Sequence, residues 1–339
     1  MTLIIGSYTE QGKGTGAGVS VLETDDGGIP TRVLRSSTGV RNPSFVALDG
    51  SLHAGVIYAV EELGDGQVVA LDPQTMATLS RVTTQGADPC HVVGVPGRAE
   101  VLAANYTSGT AAVLRTESGL LSGPEQLLSH PGSGPVPGRQ EGSHAHQCTP
   151  TPEGSVLVSD LGADRVDEYV PTGGAGYRLT SSAQLPPGTG PRHVALRGSE
   201  LWVVGELDGR LHRLRRDGGG WAWLESIALA AGPAPAGTDG SVKPSHLVIS
   251  PDGSLAYTAI RGRNTVVVVG LDGDGPRLLA ELDCGGDLPR AFAIDFAAGL
   301  LYVANEQSSN ISIFRLGADG IPEPAGSFAT GSPTCIVVA

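Results

Sequence analysis

The stretch Pro191–Leu214, PRHVALRGSELWVVGELDGRLHRL, holds the plan of the whole chain. A proline opens it, a short apolar run follows, and a turn leads into a second apolar run that stops at the polar Glu206. A third run, Arg210–Leu214, comes next. The same phrase returns seven times, opening at Pro43, Pro89, His144, Pro191, Pro244, Pro289 and Pro333. Successive openings lie 46, 55, 47, 53, 45 and 44 residues apart. A period of about 40 to 55 residues with three or four strand-like runs per unit is the signature of a β-propeller blade.

Outward from that stretch, the second runs read Val56–Val60, Val101–Ala104, Val156–Ser159, Leu201–Gly205, Leu255–Ala259 and Leu300–Ala304. Turns such as Thr151-Pro152-Glu153-Gly154 and Ser250-Pro251-Asp252-Gly253 precede them, with Pro presetting φ and Gly permitting a positive one. Third runs follow at Gln67–Leu71, Thr110–Leu114, Arg165–Val170, Arg210–Leu214, Thr265–Gly270 and Asn310–Arg315. No segment sustains a 3.6-residue pattern. Six units are complete and the seventh is split. Ser332–Ala339 supplies one inner strand, and Thr2–Gly6, Gly18–Leu22 and Thr31–Ser36 supply the other three. Joining the chain ends in one blade removes the open edges that six blades and loose strands would leave. The expectation is an all-β chain, a seven-bladed β-propeller with four-stranded antiparallel blades, the last closed by N- and C-terminal strands. Residues 1–339 form one domain.

Composition narrows the partners. The 50 glycines and 4% aromatics suit many tight turns and small strand residues. A net charge of −13, from 22 basic and 35 acidic residues, argues against nucleic acid or an anionic membrane as partner. It leaves room for a small anionic substrate held by local arginines. Met1–Glu10 has no basic, long-apolar leader pattern, and no run approaches a membrane span, so a cytoplasmic protein is expected. Cys90, Cys148, Cys284 and Cys335 lie far apart without metal-ligand spacing and read as buried, reduced thiols. Gly12–Gly18 is Gly-rich but fits neither a dinucleotide fingerprint nor a phosphate loop, and reads as the loop between strands two and three of the split blade. No G-x-S-x-G elbow is present.

Topology then selects a site. In an up-and-down blade, the start of strand one and the end of strand two meet at the same mouth of the central channel. Two places after the opening position stand His91, His146, His193 and His246, half of the eight histidines in the chain. Second strands end at Glu61 and Glu62, Asn105, Asp160, Glu206, Arg261, and Asn305 with Glu306; Arg192 and Arg290 follow their prolines. The insertions Ser129–Ser143 and Ala230–Val242 open on the same face as walls or a partial lid. Imidazole, carboxylate and guanidinium groups around one mouth suit acid–base chemistry on an anionic or carbonyl substrate. The histidines could instead bond backbone between blades, and Asp160, Asn105 and Asn305 could bond turn amides. For Arg192, Glu206 and Arg261 a purely structural role is harder to sustain, since converging ionisable groups need each other or a ligand.

Ser143-His144-Ala145-His146, Pro152-Glu153-Gly154 and Ser159-Asp160-Leu161-Gly162-Ala163-Asp164-Arg165-Val166 resemble the third blade of the seven-bladed propeller lactonases. That family includes propeller-type 6-phosphogluconolactonase and the fungal carboxy-cis,cis-muconate cyclase. Gly190-Pro191-Arg192-His193-Val194-Ala195, Pro244-Ser245-His246-Leu247 and Tyr302-Val303-Ala304-Asn305-Glu306 extend the resemblance over the chain. It implies a catalytic set of His146, Arg192, Glu206 and Arg261, matched motif by motif to the cyclase relatives. The His-Ala-His and Asp-Leu-Gly-Ala-Asp-Arg-Val wording is closer to the bacterial lactonase branch.

The implied activity is hydrolysis of a sugar lactone, 6-phosphoglucono-δ-lactone above others, in the oxidative pentose phosphate route. His146 or Glu206 would be the base, and Arg261 and Arg192 would stabilise the oxyanion or hold the phosphate. His91, His193, His246, Arg290, Glu306 and Asp160 are the expected substrate-binding residues. No metal or other cofactor is expected, and the acidic closed ring suggests a monomer. The alternatives are a lactone-forming cyclase or isomerase on a carboxylated substrate, and a non-catalytic binding propeller.

Overall fold

The computed structural model describes residues 1–10, 14–49, 55–173 and 176–339, which form seven four-stranded antiparallel sheets. Blades are numbered from the unit that opens at Pro43. Blade 4 shows the pattern: Pro191–Arg197 innermost, then Glu200–Gly205, Arg210–Asp217 and Gly220–Ala228. The seventh blade runs Pro333–Val338, Thr2–Ser7, Val19–Thr24, Pro30–Ser37, so both chain ends share it. Ile5 pairs with Ile336, and Thr2 and Ala339 exchange backbone hydrogen bonds of 3.0 and 2.9 Å. Among the described residues one 3-10 turn, Leu161–Ala163, is the sole helical element, and no helix is long and apolar enough to cross a membrane. Gln11–Lys13 lie outside the described residues, so only Gly14–Gly18 of the Gly-rich stretch can be placed, between Thr2–Ser7 and Val19–Thr24 as expected.

Second strands are near-continuous runs of Val, Ile, Leu and Ala, buried along their whole length in blades 1, 2, 4 and 6. They have no polar face because both faces of a blade meet a neighbour. Seven apolar clusters result, one in each gap between neighbouring blades; the gap between blades 7 and 1 holds Ile4, Val21, Ile57 and Val69. Fourth strands such as Thr78–Thr83 alternate between exposed and half-buried residues, as a solvated edge should. All four cysteines are buried, unbridged thiols.

Two devices tie blades together. The first uses large side chains on second strands. Tyr58, Tyr257 and Tyr302 donate to the carbonyls of Gly119, Gly320 and Gly28, each in the outer hairpin of the next blade, at 3.3, 2.9 and 2.8 Å. Replacing Tyr302 by Phe should leave the Gly28 carbonyl unmet and lower stability by about 1 kcal/mol. Urea unfolding should show a lower midpoint at an unchanged slope; an unshifted midpoint would remove the clamp from the account.

The second device sits where the repeat opens. Blades 2 to 6 carry a register shift just after the opening position, for example between Pro191 and Val194 opposite Gly205 and Val203. Such a bulge frees side chains from the alternation of the strand and turns them inward. In three blades the residue after the opening proline reaches the next blade's backbone: Thr334 Oγ1 to Pro43 O at 2.6 Å, Ser44 Oγ to Pro89 O at 3.2 Å, Ser245 Oγ to Pro289 O at 2.8 Å. Blade 1 departs slightly from expectation, its inner strand starting at Val46, three residues after Pro43. Asn42 there adopts a left-handed φ of 44°, and its side chain accepts from the amides of Thr9 and Glu10, holding the chain off the ladder.

Candidate active site

Seven positions at the ends of the second strands form one ring at the mouth: Tyr8, Glu62, Tyr106, Leu161, Glu206, Arg261 and Glu306. Six of these amides bond a carbonyl just before the adjoining inner strand, as Glu206 N does to Gly190 O at 2.8 Å and Tyr106 N to Asp88 O at 3.0 Å. Arg261 instead sits cross-strand from Lys243. All but Leu161, which is fully buried, take part in one of two charged clusters.

The first cluster centres on Glu206. Its Oε2 accepts from Arg261 Nη2 at 2.6 Å and forms an ion pair with Arg192 Nε at 3.0 Å, and its Oε1 accepts from Arg139 Nη2 at 2.6 Å. Arg192 is buried, with Nη1 donating to the Ser245 carbonyl. Arg139 comes from the insertion between blades 2 and 3. That segment is pinned by Gln140, whose amide donates to Leu161 O at 2.8 Å and to Asp164 Oδ1 at 2.7 Å. The same Asp164 accepts from the amides of Gly188 and Gly190, so the insertion is tied to the entry of blade 4. Arg139 also donates to the Tyr106 hydroxyl at 3.3 Å.

His146 completes the cluster. Its ring lies edge-on to Tyr106 and His193, with centroids 5.6 and 5.7 Å apart. Nδ1 is 3.8 Å from Cys90 Sγ, and among the described residues no group bonds Nε2. Burial, then the Arg192 charge, hold its pKa well below the usual imidazole value against the pull of Glu206, so the ring is neutral at pH 7. For Glu206, burial favours the neutral acid, but Arg261 and Arg192, then His146 and the Arg139 bond, outweigh it and keep the carboxyl well below its ordinary range. Burial and the neighbouring Arg261 bring Arg192 down to about 9.

The second cluster is the inverse: one arginine between carboxylates. Arg290 meets Glu62 at 3.1 Å and Glu306 at 3.5 Å and stands 5.0 Å from the Tyr8 ring centroid, while Tyr8 donates to Glu62 at 2.7 Å. Burial opposes its charge, but Tyr8, Glu62 and Glu306 push its pKa up. Beneath both clusters lies a void of about 10 Å³ touched by Arg192, Arg290, Cys90 and His193.

His91, His193 and His246 fill the channel below the mouth, around Phe45. His193 and His246 face each other with Nδ1 atoms 2.8 Å apart, so one donates and the other accepts. Burial drives His91 and His246 down to about 3 and His193 well below normal, leaving neutral rings. They floor the site and are not at its open side. Asp160 departs further from the expected substrate contact. Its Oδ1 accepts from the amides of His144 and Gly162 and its Oδ2 pairs with Arg165 at 3.1 Å, so it caps the 3-10 turn. Asn305 likewise donates to Ser312 Oγ and the Cys284 carbonyl. Among the described residues no group of three or more His, Cys, Asp or Glu is placed to hold a metal.

His146, Arg192, Glu206 and Arg261 are thus brought together, while Arg139 and Tyr106 were not singled out from the sequence. Arg139 carried a signal, being the one cation in an insertion already assigned to this face. Arg192 lies buried beside Glu206, its Nη1 on the Ser245 carbonyl and its Nε 3.0 Å from Glu206 Oε2 without a hydrogen bond.

A propeller carrying a neutral histidine and a triply arginine-bound carboxylate at one mouth of its channel has the form of an enzyme. The model of the family described as Lactonase, 7-bladed beta-propeller matches residues 2–338, and the chain belongs to it. A Bacillus subtilis protein named 6-phosphogluconolactonase is 30% identical over 322 residues, 92% of this chain and 90% of that one. The periplasmic gluconolactonase of Pseudomonas aeruginosa superposes with a TM-score of 0.88 at 26% identity, covering 99% and 98% of the two chains. A Bacteroides fragilis structure, described as a putative 6-phosphogluconolactonase, shares the fold with a TM-score of 0.87 at 24% identity. The chain is a lactone-hydrolysing enzyme.

Proposed function

We propose that the chain hydrolyses a sugar δ-lactone, 6-phosphoglucono-δ-lactone, to 6-phosphogluconate, the ring-opening step of the oxidative pentose phosphate route. The observation that carries this reading is the neutral His146, its Nε2 unbonded among the described residues, beside a guanidinium-lined carboxylate. Nε2 takes a proton from water as the water oxygen bonds to the lactone carbonyl carbon. The carbonyl oxygen becomes an oxyanion, met by Arg261, whose Nε has no hydrogen-bond partner among the described residues. Collapse breaks the bond to the ring oxygen, which leaves with the proton from the imidazolium. Glu206, saturated by arginine donors and held ionised, is a poor base here and positions the guanidinium groups. Similarity to the B. subtilis 6-phosphogluconolactonase supports the substrate class.

The reading includes a cytoplasmic monomer acting on a small molecule without cofactor, nucleic acid or membrane partner. Four buried, unbridged thiols and the −13 charge support it. A pH-stat assay over phosphorylated, plain and acidic lactones tests the reaction, with spontaneous hydrolysis subtracted at every pH. Rates above background on a sugar lactone are expected. Conversion of a carboxylated muconate with no lactone hydrolysis would replace this reading with the cyclase.

A further inference from the structure

The cavity in front of Glu206 has a volume of about 520 Å³ and is walled by both long insertions. Arg139 and Glu206 form one side, Thr238 the other, and Arg261, Lys243 and Asn264 the back. Lys243 and Arg261 are direct cross-strand partners in blade 5, so two cations stand side by side on one face. Like charges directly opposite each other destabilise a sheet unless an anion lies between them. Glu206 answers Arg261, and Lys243, which is exposed, makes no ion pair within 4.0 Å among the described residues, although Asp239 feels its charge. The cavity's other carboxylates are engaged elsewhere: Asp239 accepts from the Ser241 amide and hydroxyl, both at 2.7 Å, and Asp287 from Asn264 at 2.7 Å. Arg261 Nε has no partner among the described residues.

The chain's use of cations sharpens the point. Of 22 basic residues only two are lysines, Lys13 and Lys243. A lysine ammonium on a flexible stem meets a phosphate as a point charge, whereas the arginine fork binds carboxylate or phosphate in a fixed bidentate geometry. In this chain arginine makes the fixed pairs, and Lys243 stands at the cavity that Glu206, Arg139 and Arg261 line.

We propose that this cavity is a phosphomonoester subsite, in which Lys243, with Arg261 and Arg139, holds the phosphate of the lactone while its carbonyl lies at His146. The proposal rests on the lactonase reading above and gives it a specificity determinant. A phosphomonoester carries nearly two charges and three acceptor oxygens at pH 7, so it can accept from several of these donors at once.

The test compares 6-phosphoglucono-δ-lactone with glucono-δ-lactone in the wild type, K243M and K243R. In K243M the ratio of the two kcat/KM values should fall by about tenfold or more through the KM of the phosphorylated lactone, with K243R restoring most of it. Calorimetric binding of 6-phosphogluconate should weaken in K243M in parallel. A ratio within twofold of wild type in K243M, or a wild type that treats both lactones alike, would overturn the subsite and leave the reaction standing. A wild type that hydrolyses no lactone would overturn the reaction, while 6-phosphogluconate binding lost in K243M would keep the subsite.

Discussion

Replacing His146 by Ala or Gln is expected to lower kcat/KM for the lactone by roughly a hundredfold to ten-thousandfold with the fold intact. The ring takes the water's proton and returns it to the leaving oxygen, so its loss removes both transfers. Gln keeps most of the volume beside Tyr106 and His193 and separates loss of the base from loss of packing. The pH profile gives an independent readout. Because burial and Arg192 lower the imidazole pKa, the unprotonated form prevails at neutrality and activity falls only as pH drops through a value below 6.5. That acid limb should vanish in both variants. A wild-type limb centred above 6.5, or a His146 variant that keeps its activity, would remove the residue from the base role.

Glu206→Gln should reduce kcat/KM by roughly a hundredfold and also cost about 3–5 kcal/mol of stability, because it strands buried guanidinium groups without a counter-charge. Arg192 suffers most, having Glu206 as its ion-pair partner at 3.0 Å. The sign with pH follows from the depressed carboxyl. In the wild type its contribution is complete above the unfolded value near 4.5 and is lost as pH falls through the lower folded value. The stability gap between variant and wild type should therefore be flat from pH 7 to about 5 and narrow in stronger acid. Urea titrations at several pH values measure it. A variant as stable as wild type at pH 7 would show that the three arginines do not depend on this carboxylate.

The blades were legible because their spacing is set by a backbone requirement, one proline or its substitute where each inner strand begins. The charged half of the mouth was legible for a related reason: Glu62, Glu206, Arg261 and Glu306 are too costly to bury unpaired and so stand out from apolar strands. Tyr8 and Tyr106 occupy the same ring of positions but were missed, since an aromatic after an apolar run reads as more core. Asp160 was drawn in by being one residue out of register, where the strand's last pair serves the turn beyond it. Arg139 required tertiary knowledge, because a 15-residue insertion has no period and only the Gln140–Asp164 tether decides where it lies. The buried position of Arg192 beside Glu206 is not revealed by its neighbours in sequence.

The bulges at the start of the inner strands bear on how such a protein could acquire new chemistry. They hand the channel Cys90, the pair Arg192–His193, His246 and Arg290, while the stacked apolar faces between blades lie elsewhere on the same sheets. Exchanging one of these residues that makes no tie to the next blade alters the lining of the channel and leaves the apolar packing between blades in place. The ring behaves as a turret of interchangeable tool holders, so that a change of substrate is reachable in single substitutions through variants that all still fold.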